Sequence, residues 1–161
     1  MALTIRPATP ADRTALDEQE QLLNLYEEPF SRDRRLDRAG SVAAMDRLHE
    51  RVAASNGTIL VAELNGAVIA HMVLTFEQHG PFVREDLRPH AYVADLYVRQ
   101  AHRGQGIGTK LLAEAEKIAV ARGVPRISIG VLSGNDGAEK NYRKFGFNPY
   151  ALELSKDLHK A

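Results

Sequence analysis

The most legible chemistry runs from Val98 to Lys110, where Gly104, Gly106 and Gly108 stand at alternate positions between a strand-like run and a helical one. Main chain with so few β-carbons can curl its N–H groups toward one point. Those N–H groups are also the unpaired donors of a helix N-terminus, which carries partial positive charge. The stretch therefore reads as a pocket for a phosphate or pyrophosphate. The blander alternative is a turn whose glycines serve geometry alone.

Spacing separates the phosphate motifs that compete for this turn. The dinucleotide fingerprint G-x-G-x-x-G requires glycine where Thr109 stands, and no opening βαβ unit surrounds it. The P-loop pattern G-x-x-x-x-G-K-[ST] fails as well, because Thr109 precedes Lys110 and Arg103 stands where a glycine belongs. What the segment does carry is R-x-x-G-x-G, as Arg103, Gly106 and Gly108, after Asp95-Leu96-Tyr97-Val98 and before an amphipathic run. This resembles the acetyl-CoA pyrophosphate loop of the GCN5-related N-acetyltransferase (GNAT) superfamily. Downstream, Asn135, Ala138, Tyr142, Lys144, Gly146 and Phe147 are similar to that family's N-x-x-A-x-x-x-Y-x-K-x-G-F segment. The resemblance extends to the order of strands and helices, from Ile5-Arg6-Pro7-Ala8 onward, and is weakest over Leu25 to Gly40 and Glu77 to His90.

The resemblance implies an enzyme that moves acetyl from acetyl-CoA, its co-substrate, to a primary amine by direct attack in a ternary complex. A small-molecule acceptor is preferred over a protein N-terminus or lysine, and a non-catalytic acetyl-CoA sensor of the same fold is the competing reading. It further implies that the main chain of Gly104, Gln105, Gly106, Ile107, Gly108 and Thr109, with Arg103 and the Thr109 hydroxyl, faces the pyrophosphate. Asn135, Tyr142 and Lys144 would add cofactor contacts. Strands four and five would splay, so that main-chain groups at Leu96, Tyr97 and Val98 hold the pantetheine arm and polarise the acetyl carbonyl.

Transfer to an amine needs a base, since an aliphatic amine is mostly protonated at neutral pH, and an acid for the departing thiolate. For the acid, the family's pattern points to Tyr142, a phenol protonated at neutral pH. On strand four only Asp95 offers a carboxylate, and Ala94 stands where some relatives have glutamate. Asp95 could act through a water, orient the amine, or simply bond the sheet. Glu27, Glu28, Glu77, His79 and His90 are reserve candidates in loops that would border the substrate mouth. Tyr26 and Phe30 beside Glu27-Glu28 read either as a lip for a cationic amine or as a surface loop with a buried ring.

Composition narrows the alternatives. Lysine plus arginine number 21 and aspartate plus glutamate number 21, so no net field draws in nucleic acid or an anionic membrane. Arg32, Arg34, Arg35 and Arg38 cluster, but Asp33 and Asp37 interleave with them, which reads as a solvated surface. Cysteine is absent, closing an acyl-thiol route and fitting a reducing, cytoplasmic setting. His49, His71, His79, His90, His102 and His159 form no H-E-x-x-H or H-x-H pair, so no metal is expected. No run approaches the length of a membrane span and no leader pattern opens the chain, which reads as soluble and unprocessed. The resemblance allows a homodimer.

These residues need elements to hold them. At 161 residues the chain reads as a single domain over residues 1–161, without repeats or linkers. Leu3 to Arg6 alternates as a strand, and Thr9-Pro10-Ala11-Asp12 opens a helix through Leu16, Leu22, Leu23 and Leu25. Glu27 to Arg38 reads as an exposed loop, and a second helix runs from Ser41 until Asn56-Gly57. Thr58 to Leu64 and Ala67 to Phe76 form a hairpin about Asn65-Gly66, which suits a type I′ turn. Gln78 to His90 reads as a loop and Ala91 to Val98 as a strand. Ile107, Leu111, Leu112, Ala115, Ile118 and Ala119 share a helical face. A strand over Ile127, Ile129 and Val131, a helix over Asp136 to Lys144 and a closing strand over Phe147 to Leu154 complete the order β-α-α-β-β-β-α-β-α-β. The class is α/β (α+β). The resemblance implies a mixed, mostly antiparallel sheet of about seven strands flanked by about four helices.

Overall fold

Asn65 and Gly66 have φ of 55° and 79°, the two positive values a type I′ turn demands, and they join β2 (Thr58–Leu64) to β3 (Ala67–Gln78) as expected. Around this hairpin the computed structural model, which describes residues 2–159, builds one five-stranded sheet in the order β1-β2-β3-β4-β5. β1 is Thr4–Pro7, β4 is Pro89–Val98 and β5 is Ile127–Ile129. Neighbours are antiparallel as far as β4, and β5 joins β4 in parallel, so the sheet is mixed. The four α-helices are α1 (Arg13–Ser31), α2 (Arg38–Ser55), α3 (Ile107–Ala121) and α4 (Asp136–Phe145).

Side-chain alternation sorts two cores. Leu60, Ala62, Met72 and Leu74 pack with Ile107, Leu111, Leu112, Ala115 and Ala119 of α3, whose expected face is the buried one. On the opposite side Ile59, Val61 and Val73 pack with Leu16 of α1 and with Met45 and Leu48 of α2. The start of α1 is fixed by Asp12, which accepts the Thr9 N–H at 2.7 Å and a two-pronged bond from Arg6 of β1 at 2.8 and 2.9 Å.

Three expectations need correction. The sheet has five strands, not about seven. The closing strand over Phe147 to Leu154 is absent: past α4 the described residues form no helix or strand, and Tyr150, Leu152 and Leu154 are 65%, 80% and 83% exposed. Alternating apolar residues satisfy the strand pattern, but a strand also needs a hydrogen-bonded neighbour, and here none accompanies it. The loop expected from Glu27 is shorter, because α1 continues through Pro29 to Ser31, with Tyr26 edge-on to Phe30 at 5.8 Å. It stops where Arg32 turns left-handed and donates its N–H to Glu28 O.

Two irregularities in β4 shape the site. Val73 pairs with Asp95 and Leu74 with Val93, leaving Ala94 as an extra residue in a β-bulge. Before the bulge the odd-numbered Ala91 and Val93 belong to the α3 core, and after it the even-numbered Leu96 and Val98 do. The slip therefore turns Asp95 away from the α3 core and toward α1. Pairing with β5 covers only Ala91 to Val93, so from Ala94 onward β4 parts from its parallel neighbour.

Candidate active site

At the end of β4, Gly104 and Gly106 adopt φ of 75° and 76°, a left-handed conformation that a β-carbon would strain. Gly106 is the N-cap of α3 and no side chain caps that helix. The first helical N–H to find a carbonyl is that of Lys110, on Gly106 O at 3.0 Å, so the N–H groups of Ile107, Gly108 and Thr109 lack intrahelical partners. A β-carbon built on Gly104 or Gly106 would meet nothing within 4 Å, so the turn faces open space. Gln105 and Thr109 are exposed beside it.

Arg103 is anchored rather than free. Its Nε donates to Val98 O at 2.9 Å, and its guanidinium lies 4.6 Å from the Tyr26 ring centre and 5.4 Å from that of buried Tyr97. Tyr26 in turn donates its hydroxyl to Asn135 Oδ1 at 3.3 Å, and the same oxygen accepts the Ala138 N–H to cap α4. This chain of contacts ties the glycine turn to α1 and α4. Lys144 is exposed in the last turn of α4, where its charge complements the helix dipole.

Where β4 and β5 part, a cavity of about 90 Å³ opens between Ala94, Asp95 and Leu96 on one side and Ile129, Gly130 and Tyr142 on the other, with Glu27 at its border. Tyr142 is half-buried, and among the described residues no protein group hydrogen-bonds its hydroxyl. Burial, reinforced by the negative charges of Asp95 and Glu27, pushes the phenol up to about 12, so it holds its proton across the physiological range. A second cleft of about 390 Å³ lies between α1, α2 and β4, lined by Glu20, Asn24, Glu27, Arg34, Arg47 and Asp95 among others. Leu23, Glu27, Ala94 and Asp95 border both spaces, so the cavity and the cleft meet beside the bulge.

Beneath that junction lies a buried polar cluster. Gln19 of α1 donates from Nε2 to Val68 O at 2.9 Å, and its Oε1 accepts from His71 Nδ1 at 2.9 Å. That fixes the imidazole so that Nε2 faces Asp95 Oδ2 at 3.2 Å. Glu20 completes the group, with one polar atom each from Glu20, His71 and Asp95 within 4.8 Å of one another. Burial tends to raise Asp95, but attraction and hydrogen bonding from His71, with bonds from Glu20 and the Leu96 N–H, outweigh it and hold the carboxylate below its usual range. Glu20 goes the other way, to about 9: burial is the main cause, the Asp95 charge adds to it, and only Arg34 opposes. At neutral pH Glu20 is protonated and donates to Asp95.

The structure thus brings Asp95, Leu96 and Tyr142 together at one cavity, adds Glu27 from the reserve set, and places Tyr97, Val98 and Arg103 between that cavity and the glycine turn. It does not bring in the other reserves. Glu28 accepts the Arg34 N–H, and Glu77 pairs with Arg51 at 2.7 Å. His79 and His90 stack at 3.8 Å, with His90 five residues before Asp95 in β4, about 16 Å along an extended strand. Three residues were missed: Gln19, Glu20 and His71. A signal existed for Glu20, which stands four residues after Leu16 and three before Leu23, a polar side chain on the buried stripe of a helix.

Residues 19–147 match the acetyltransferase (GNAT) family. Among solved structures, the chain is similar to a GCN5-related N-acetyltransferase from Ralstonia eutropha, with 25% identity, 98% of this chain and 99% of that one covered, and a TM-score of 0.72. It is similar to a predicted acetyltransferase with acetyl-CoA from Clostridium acetobutylicum, at 20% identity, 98% and 97% coverage and a TM-score of 0.74. An aminoglycoside antibiotic 6′-N-acetyltransferase from Acinetobacter haemolyticus matches at 19% identity, 97% and 99% coverage and a TM-score of 0.69.

Proposed function

Since this chain belongs to the acetyltransferase (GNAT) family, we propose that it is an N-acetyltransferase that transfers acetyl from acetyl-CoA to a primary amine of a small molecule, both bound at once. The observation that carries this reading is the junction at the bulge of β4, where a cavity beside the Tyr142 phenol meets an acid-lined cleft at Asp95. Two reactants could approach there from opposite sides, the geometry that direct transfer needs.

The glycine turn suits the phosphates of the coenzyme: left-handed glycines, unpaired N–H groups at the start of α3 and open space where β-carbons would stand. Gly104 to Thr109 would hold the diphosphate by main-chain donors, with Arg103 held beside them by its bond to Val98 O. The β4 main chain from Leu96 to Val98, unpaired on its β5 side, would hold the pantetheine arm and orient the acetyl carbonyl. When bound, acetyl-CoA supplies an activated acyl group. Tyr142 would give its proton to the departing sulfur, and Asp95, a carboxylate held in its charged form, would orient the incoming ammonium. Asn135 acts through α4, which it caps and so aligns Tyr142, while Lys144 sits where it could meet an outer part of the coenzyme.

A small acceptor fits a cleft of about 390 Å³ bounded by α1 and α2. The lack of cysteine suits a reducing cytoplasm and leaves no thiol for an acyl-enzyme. The test is CoA release over a panel of small amines and peptides, with both substrates varied. Intersecting double-reciprocal lines with a small amine are expected. Parallel lines would exclude the ternary complex, turnover of peptides alone would exclude the small acceptor, and acetyl-CoA binding without turnover would mark a sensor.

A further inference from the structure

We infer that Glu20 is the catalytic residue that takes the proton from the acceptor's ammonium group, leaving Asp95 to orient it. The inference rests on the N-acetyltransferase reading and extends it to a residue on α1 outside the sequence motifs.

The argument begins with what each carboxyl already does. Asp95 Oδ2 is engaged with His71, whose ring is fixed from behind by Gln19, so this carboxylate is stabilised as an anion and accepts a proton poorly. Glu20 has no such partner. Its Oε2 is buried without any hydrogen-bond acceptor or donor opposite it, the residue is only 7% exposed, and it lines the acceptor cleft beside Asp95. The charged groups about it are Asp95 from β4 with His71 from β3 behind, Glu27 from its own helix, Arg34 from the loop after α1 and Arg47 from α2. Arg34 is already bound to Glu27 and Asp33, both at 2.8 Å, and the exposed Arg47 lies 3.5 Å from Glu50, so among the described residues no cation forms a salt bridge with Glu20.

Such a place favours neutral partners over an ion pair. In the fraction of the protein whose Glu20 is ionised, which grows as pH rises toward about 9, an acceptor arriving as RNH3⁺ passes one proton to the carboxylate, giving RNH2 and a carboxylic acid. Nothing else changes in that step. The nitrogen lone pair is then free to form the N–C bond as the C–S bond breaks. The electron pair goes to sulfur, the Tyr142 proton follows it, and the proton lost from nitrogen restores the phenol. Glu20 returns its own proton to water, so each turnover releases one. Environments that drive two neighbouring carboxyls in opposite directions divide such labour between an orienting anion and a proton acceptor matched to its donor.

The test compares wild type with Glu20→Gln, which keeps a hydrogen-bond donor toward Asp95 but cannot accept the proton. With an alkylamine of pKa about 10, kcat/KM near neutral pH should fall about tenfold, the effect of moving the rising limb by about one pH unit. The rising limb of its pH profile should move from about 9 to the free acceptor's own ionisation. With an acceptor of pKa below about 7, already unprotonated, the variant should stay within about threefold of wild type, and acetyl-CoA affinity should hold. Glu20→Asp should recover part of the loss and the original limb. Equal losses with both acceptors, or no loss with the alkylamine, overturn the inference while the enzyme remains an acetyltransferase. A wild type that acetylates no amine overturns the reading beneath it and the inference together.

Discussion

The carboxyl groups of Glu20 and Asp95 meet from α1 and β4 in the cleft between α1, α2 and β4, and they titrate in opposite directions. His71 stands on Asp95 and holds it anionic, while Glu20 carries the proton that this arrangement leaves over. The consequence for stability is specific. The unfolded Glu20 ionises near its ordinary 4.5 and the folded one near 9, so between these values the unfolded state has lost a proton that the native state keeps. Stability therefore falls as pH rises through that window.

Glu20→Gln should relieve this cost. Its melting temperature should exceed that of wild type by about 2–4 °C at pH 8, the equivalent of about 1 kcal/mol for a domain of this size, and the gap should close by about pH 4. Calorimetry at the two pH values checks it; a variant less stable than wild type at pH 8 contradicts the sign.

Asp95→Asn removes the charge that helps to keep Glu20 protonated. The rising limb of the kcat/KM profile should move below 9, and kcat/KM should drop about 10- to 100-fold through loss of a charged hydrogen bond to the ammonium. A pH profile with unchanged midpoint would show that the two carboxyls do not communicate.

Tyr142→Phe deletes a hydroxyl that bonds no protein group among the described residues, so packing against Phe147 survives. Turnover should fall about 100-fold or more while acetyl-CoA affinity changes by less than about threefold. Unchanged turnover, read by CoA release beside a calorimetric titration, would remove Tyr142 from the proton path.

Gly106→Ala forces a β-carbon into a φ of 76°, where about 1–2 kcal/mol of strain is expected although the space around it is open. The turn can relax only by swinging the N–H groups at the start of α3, so acetyl-CoA affinity should weaken about tenfold or more. Thermal melts with and without the coenzyme measure both effects, and loss of stability with full retention of affinity would separate the turn from the coenzyme.

Asp12 offers a control remote from catalysis. Arg6 holds its carboxyl far below the ordinary carboxylate range, with Thr9 helping. That stabilisation is present above the unfolded value of 3.8 and is lost as pH falls toward the folded one. Asp12→Asn should cost about 1.5–3 kcal/mol at pH 7 and little in strong acid, measured by urea unfolding at both.

Parts governed by local chemistry were legible in the order of residues. Asn65-Gly66 fixed the hairpin because both residues tolerate positive φ, and the spacing of Gly104, Gly106 and Gly108 fixed an open turn ahead of α3. Apolar periodicity located the buried face of α3. Features that depend on contact across the chain emerged only on folding. One extra residue at Ala94 turned Asp95 from the α3 core to α1, an event of register that no window of sequence displays. Phe147 to Leu154 met the pattern of a strand yet formed none, because pairing belongs to two segments and pattern to one. The place of Glu20 on the apolar stripe of α1 hints at burial, but only burial and mutual proximity give Glu20 and His71 their chemistry, since the energy of a charge is set by the groups and solvent that surround it in space.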